Sequence, residues 1–124
     1  MDSSLLTYAN EYPDDFASDI IDMEYDQSIE PYYEIIQSSD LCVTKDGVTV
    51  VLEVGKISSL QINVKVYQQK GTSWSMLINK TFSKQALALE GEVNYNFQHN
   101  VEYKVIAEFY ADNEYDVMER YYMV

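Results

Sequence analysis

The stretch LQINVKVYQQ, residues 60–69, sets Leu60, Ile62, Val64 and Val66 on one side of an extended chain and Gln61, Asn63, Lys65 and Tyr67 on the other. A period of two fits a strand with one dry and one wet face; a helix would scatter those four apolar residues around its axis. This is the clearest periodic signal in the chain, and it sets the frame for the rest.

Similar segments follow one another from Leu41 onward. DLCVTKDG alternates and closes at Asp46-Gly47, a hairpin-type turn signal, and VTVVLEV then runs to Gly55. QKGTS reads as a turn, and WSMLINKTF places Trp74, Met76 and Ile78 on one face. ALALEGEVNYNF has a glycine break before Val93, Tyr95 and Phe97. After the polar QHN turn, Val101, Tyr103, Val105, Ala107 and Phe109 alternate with Glu102, Lys104 and Glu108; ADNEYD is the next loop and VMERYYMV the last strand. About seven short strands with turns between them predict an all-β fold, an antiparallel β-sandwich over residues 39–124, with one wet face per sheet.

Residues 1–38 differ in kind. Residues 1–40 hold 11 carboxylates and no Lys or Arg, whereas the remainder has 10 acidic and 8 basic residues, so −11 of the net −13 sits in the N-terminal third. Asp14 and Asp15 after Pro13 fit the first turn of a short helix on which Phe16, Ile20 and Met23 fall at i, i+4 and i+7. Glu30 precedes a proline, so the chain beyond it is expected to be extended. Two readings of this acidic arm stay open: a disordered linker, or a segment docked through its apolar and aromatic residues. Phe16, Ile20, Met23, Tyr25, Tyr32 and Tyr33 are the candidate partner-binding residues.

Charge and residue counts exclude several function classes. Phosphate binding needs Lys and Arg to displace counterions, so nucleic acid is not an expected partner. No apolar run is long enough to span a bilayer, and no membrane insertion is expected. Cys42 is the only cysteine, which rules out an intrachain disulfide and a cysteine-based zinc site. MDSSLLTYANEYPDD lacks the basic and apolar regions of a secretory leader. The chain is then either cytosolic, or Met1 stands where a leader has been removed; we expect the second.

Catalytic chemistry finds little to work with. His99, the only histidine, lies in a polar turn with no activating motif beside it, and Cys42 lies in a strand on the side away from Leu41 and Val43. A glycosidase needs two carboxylates held at a set separation in a cleft, for which a small sandwich has little room. Asp112, Asn113, Glu114 and Asp116 offer oxygens suited to calcium but lack the spacing and glycine of an EF-hand loop, so a solvated hairpin tip is the plainer reading. No enzymatic activity and no cofactor are expected. The 12 tyrosines stand out, and for those in the arm and near the C-terminal hairpin two roles are open, packing or recognition.

Gly47, Gly71, Trp74, Tyr103, Lys104, Val105 and Glu119 fall at the turn and strand positions of a pattern over residues 39–122 that is similar to a family of small secreted Firmicutes domains of unknown function. The resemblance implies export and an immunoglobulin-like or fibronectin-like sandwich, and it implies no activity. Glu102 stands where that family often has glycine, and the acidic arm lies outside the pattern. The Tyr103-x-Val105 spacing also resembles the penultimate strand of fibronectin type III domains, where the tyrosine ties down a crossover. Trp74 and Tyr103 are both expected in the core.

The expected function is a non-catalytic secreted or cell-surface module with a binding or structural role, its partner a protein or cell-surface component. The alternative is a cytosolic acidic inhibitor whose carboxylates mimic nucleic-acid phosphates. In that case, salt-sensitive binding to a basic partner is lost when Asp14, Asp15, Asp19 and Asp22 become Asn.

Overall fold

The computed structural model describes residues 32–124. The segment on which a short helix is expected, with Phe16, Ile20, Met23 and Tyr25, lies outside the described residues. Five strands account for most of what is described: β1 (Ile36–Thr44), β2 (Gly47–Lys70), β3 (Ser73–Asn94), β4 (Glu102–Ala111) and β5 (Glu114–Met123). All pairings are antiparallel and join one sheet in which β2 is the hub, bonded to β1, β3 and β4, with β5 beyond β4. No helix occurs among the described residues, and hence none long enough to cross a membrane.

Five strands in one sheet replace the seven read from sequence. VTVVLEV and LQINVKVYQQ are the two arms of β2, and WSMLINKTF and ALALEGEVN are the two arms of β3. Gly55 is a corner rather than an end, since its N–H still donates to the Ile35 carbonyl at 3.0 Å. Across the corner, Glu53 pairs with Ala88 and Ser58 with Ala86, so β2 carries extra residues on its side of the ladder, as a bulge does when it bends a strand. Ser58 Oγ donates to the Lys56 carbonyl at 2.8 Å within this bend, while Ile57 points outward.

Chain length dictates how sharply β2 must turn. Gly47 pairs with Asn94 and Gln68 with Tyr103. Asn94 and Tyr103 are joined by nine residue steps, a reach of at most about 32 Å, whereas Gly47 to Gln68 along a straight strand would span about 69 Å. The two arms of β2 therefore fold toward each other and the sheet curls on itself. Phe82 and Gly91 show the same bend in β3: nine residues apart in one strand, they touch, and a Cβ on Gly91 would lie 2.6 Å from the Phe82 ring. A bare glycine under an aromatic ring lets the two arms close.

The concave side is the core. Leu60, Ile62, Val64 and Val66 of β2 and Tyr103, Val105, Ala107 and Phe109 of β4 are all at most 1% exposed, on the faces that alternation predicts. Val48, Val50, Leu52 and Val54 from the other arm of β2, with Leu41, Leu89, Val93 and Phe97, complete it. The sheet unit runs from Tyr33 to Val124, and Ile35 and Ile36, from the segment read as arm, are buried in its core.

Two features hold the curl. The connection from β3 to β4 crosses between the arms, with Tyr95 and Phe97 donating backbone N–H to the Asp46 and Lys45 carbonyls, both at 3.1 Å. Tyr103 Oη accepts from the Gln98 N–H at 3.0 Å, tying the crossover to the start of β4. On the opposite side, β1 meets β5 along a seam made by acidic side chains. Glu114 accepts from the N–H groups of Glu34, Ile35 and Ile36 at 2.8 to 3.0 Å. Asp116 accepts from Ser39 Oγ and, at 3.2 Å, from Tyr33 Oη; Asp112 accepts from the Ser59 N–H at 2.8 Å. Burial, then the Asp116 charge, pushes the Tyr33 hydroxyl up to about 12.

The acidic group at 112–116 is thus only in part a solvated tip: Asp112 and Asn113 are exposed, whereas Glu114 and Asp116 are half-buried in the seam. The turn shrinks to Asp112–Asn113, with Asp112 at φ +53°, and Glu114 to Asp116 already belong to β5. Among the described residues no three His, Cys, Asp or Glu side chains gather as a metal site.

This seam has a pH signature. Desolvation raises the Glu114 pKa, but the N–H groups of Ile36, Glu34 and Ile35 and the Lys56 charge outweigh it, leaving the net value below the ordinary one. A carboxyl depressed by folding contributes stability at pH above its unfolded value, near 4.3, and loses it as pH falls through the folded value. Melting temperature should therefore decline on acidification below about pH 4.3. In Glu114→Gln that acid-limb decline should be shallower; an identical pH profile for both proteins would remove Glu114 from the seam.

Candidate functional site

Where β2 runs as LQINVKVYQQ, its wet face and those of β3, β4 and β5 form one continuous outer surface. The register decides which side chains meet. Tyr67 lies opposite Lys104 on β4 and Met76 on β3; Lys104 lies opposite Tyr121 on β5; Gln69 lies opposite Trp74. The Lys104 ammonium sits 4.8 Å from the Trp74 ring centroid and 5.2 Å from that of Tyr67, both within cation–π range. Tyr121 stands 6.0 Å from Trp74 at an angle of 54°.

This cluster is not core. Tyr121 is 60% exposed, Met123 56% and Met76 49%, and Trp74 is half-buried. Trp74 therefore departs from the core position expected of it, while Tyr103 is fully buried as expected. The cause is a bulge. Val66 pairs with Ile78 but Tyr67 pairs with Met76, leaving Leu77 unmatched; Ile78 therefore takes the inner face while Trp74 and Met76 take the outer one. Strict alternation, which put Trp74, Met76 and Ile78 together, has no way to register an extra residue.

Toward the β4–β5 hairpin the same face continues with Tyr110 and Tyr115, 5.1 Å apart, beside Glu108. Lys65 lies 3.5 Å from the Glu108 carboxylate, and Tyr115 Oη donates to Glu108 at 3.3 Å. Desolvation and then the Glu108 charge raise the Tyr110 and Tyr115 hydroxyls; desolvation and the charges of Glu119 and Glu102 raise Tyr121. All three stay neutral donors at physiological pH. Asn63, between the two clusters, donates to Asn79 and Thr81, and its own carbonyl oxygen is the buried side-chain acceptor without a partner among the described residues.

Such a face has the composition of a contact surface. Its rings offer apolar area at low rotamer cost, with a cation and amide groups between them. Of the residues singled out from sequence, Tyr32 is 85% exposed and Tyr33 packs against the core, so the two adjacent tyrosines have different roles. Cys42 is exposed on β1, and His99 lies in the exposed crossover turn. Sequence reasoning placed Tyr67 and Lys104 on wet faces but missed their meeting with Trp74, because the register between strands far apart in the chain brings them together. Comparison with known proteins gives no matching family model, no matching curated protein and no matching solved structure.

Proposed function

We propose that this chain is a non-catalytic binding module, secreted or displayed at a cell surface, and that its contact surface is the outer face around Lys104. The observation that carries this reading is the stacking of Lys104 against Tyr67 and Trp74 with Tyr121, Met76 and Met123 exposed around it. The core does not require these side chains, and aromatic residues with a cation on a rigid sheet are the composition of interface hot spots. The curled sheet itself is read as an immunoglobulin-like or fibronectin-like sandwich drawn into one continuous sheet, which the folded β2 and the Tyr103 tie support. The partner class this face favours is a polypeptide surface. The acidic-inhibitor alternative rests on the N-terminal charge alone.

Trp74 is the only tryptophan, so its emission reports on this surface directly. The test is to pan a random peptide library displayed on phage against the full chain, with counter-selection on Trp74→Ala/Tyr121→Ala. The expected result is peptides that shift Trp74 emission saturably and lose at least about tenfold in affinity on the double variant, which corresponds to about 1.4 kcal/mol. The double variant should remain folded but melt several degrees lower, because it loses the Trp74–Lys104 and Trp74–Tyr121 contacts, each contributing at most about 1 kcal/mol, while the core is untouched. Peptides captured equally well by both proteins would overturn the assignment.

A further inference from the structure

We infer that the outer edge of the first arm of β3, from Ser73 to about Ala86, accepts an extended acidic peptide as an added strand. β1 and β5 meet near their starts along the seam of Glu114 and Asp116, whereas β3 is bonded to β2 on one side, and no strand pairs with its other side over its whole length among the described residues. Every second residue of such an edge turns an N–H and a C=O outward, ready to pair with another chain.

The side chains of that edge select what can pair with it. Lys80, Phe82 and Lys84 lie opposite Val64, Ile62 and Leu60, all buried, so these three point to the inner, core-facing side of the sheet. Lys80 and Lys84 are exposed, Phe82 is half-buried between them, and the Lys80 ammonium lies 5.3 Å from the Phe82 ring centroid. From Ser73 to Leu89 the strand contains no carboxylate. Inward-pointing lysines on an edge reject an ordinary apolar strand, whose dry face would bury two ammonium groups without partners. A strand of the form acidic-x-apolar-x-acidic meets each lysine with a carboxylate and lays its apolar residue against Phe82, because residues i, i+2 and i+4 share a face. A second copy of β3 fails this criterion: Glu90 and Glu92 lie opposite Val51 and Thr49, on the outer face.

The probe is the capped peptide Thr-Glu-Thr-Val-Thr-Glu-Thr-Val, compared with the same peptide carrying Lys for Glu, each titrated into the isotopically labelled full chain. The Glu peptide should perturb backbone amides of residues 73–86 and slow their exchange. Its affinity should drop at least tenfold on Lys80→Glu/Lys84→Glu, by an intermediate factor on Lys80→Gln/Lys84→Gln, and several-fold between about 50 and 500 mM salt. N-methylating alternate peptide nitrogens should abolish binding. Any of three results would overturn the inference: equal binding of the Lys peptide, affinity unchanged in Lys80→Glu/Lys84→Glu, or perturbations confined to the face around Trp74. That last arm keeps this edge and the proposed aromatic surface distinguishable.

Discussion

Gly47→Ala is expected to cost about 3 kcal/mol or more, combining overpacking with backbone strain. Gly47 opens β2 directly after the Lys45–Asp46 turn, at φ +154°, and a Cβ there would lie 2.2 Å from the Val93 carbonyl oxygen. No side chain can swing aside to relieve this, since the obstacle is backbone. Nor can either strand retreat easily: Gly47 pairs with Thr44 in β1 and with Asn94 in β3, so moving it disturbs two ladders at once. For a domain of this size the loss corresponds to a drop in melting temperature of roughly 15 °C. Gly71 supplies the control. It has φ +65° in the β2–β3 turn with nothing near its missing Cβ, so Gly71→Asn, which tolerates that conformation, should be close to neutral. Thermal and urea denaturation of both variants checks the contrast; equal midpoints would mean that β2 and β3 do not approach this closely at Gly47.

Removing the Tyr103 side chain should be at least as damaging. The residue is fully buried, its ring packs edge-on to Phe97 at 4.7 Å and to Tyr95 at 6.0 Å, and its hydroxyl holds the Gln98 N–H. Tyr103→Ala leaves a large cavity and should cost about 3–5 kcal/mol. Tyr103→Phe keeps the ring and loses only the tie, for about 1 kcal/mol. The two variants separate packing from the hydrogen bond, and amide exchange localises the second effect: in Tyr103→Phe the Gln98 N–H should exchange faster while amides in the middle of β4 keep their protection. If Tyr103→Phe exchanges and melts like the parent, the hydroxyl is not what secures the crossover.

At Gly47 distant parts of the chain meet, whereas the Tyr103 contacts lie within eight residues of it in sequence, and legibility from sequence divides along the same line. Alternation placed the inner faces of the second arm of β2 and of β4 correctly, residue by residue, because one buried face imposes a period of two regardless of what lies opposite. Tyr103 was legible as a core residue by the same alternation. Trp74 was not: its side of the sheet depends on one unmatched residue, Leu77, which only the pairing with β2 exposes. The acidic residues at 112, 114 and 116 looked like a solvated tip or a weak calcium loop. Glu114 and Asp116, spaced by two, share a face of β5 that meets the start of β1, and Asp112, in the turn before it, accepts from Ser59 of β2.

The candidate surface follows the same division. Tyr67 and Lys104 could be assigned to solvent from their own strands, yet nothing local says that they flank Trp74. Strand character, the alternation of dry and wet faces and the concentration of negative charge before residue 41 are local properties of the chain, so the sequence alone determined them. Five strands rather than seven, the corner at Gly55, the seam closed by Glu114 and Asp116, and the aromatic cluster around Lys104 were decided by the tertiary structure. Each depends on register and chain reach between segments tens of residues apart, and neither quantity is encoded in any one stretch of sequence.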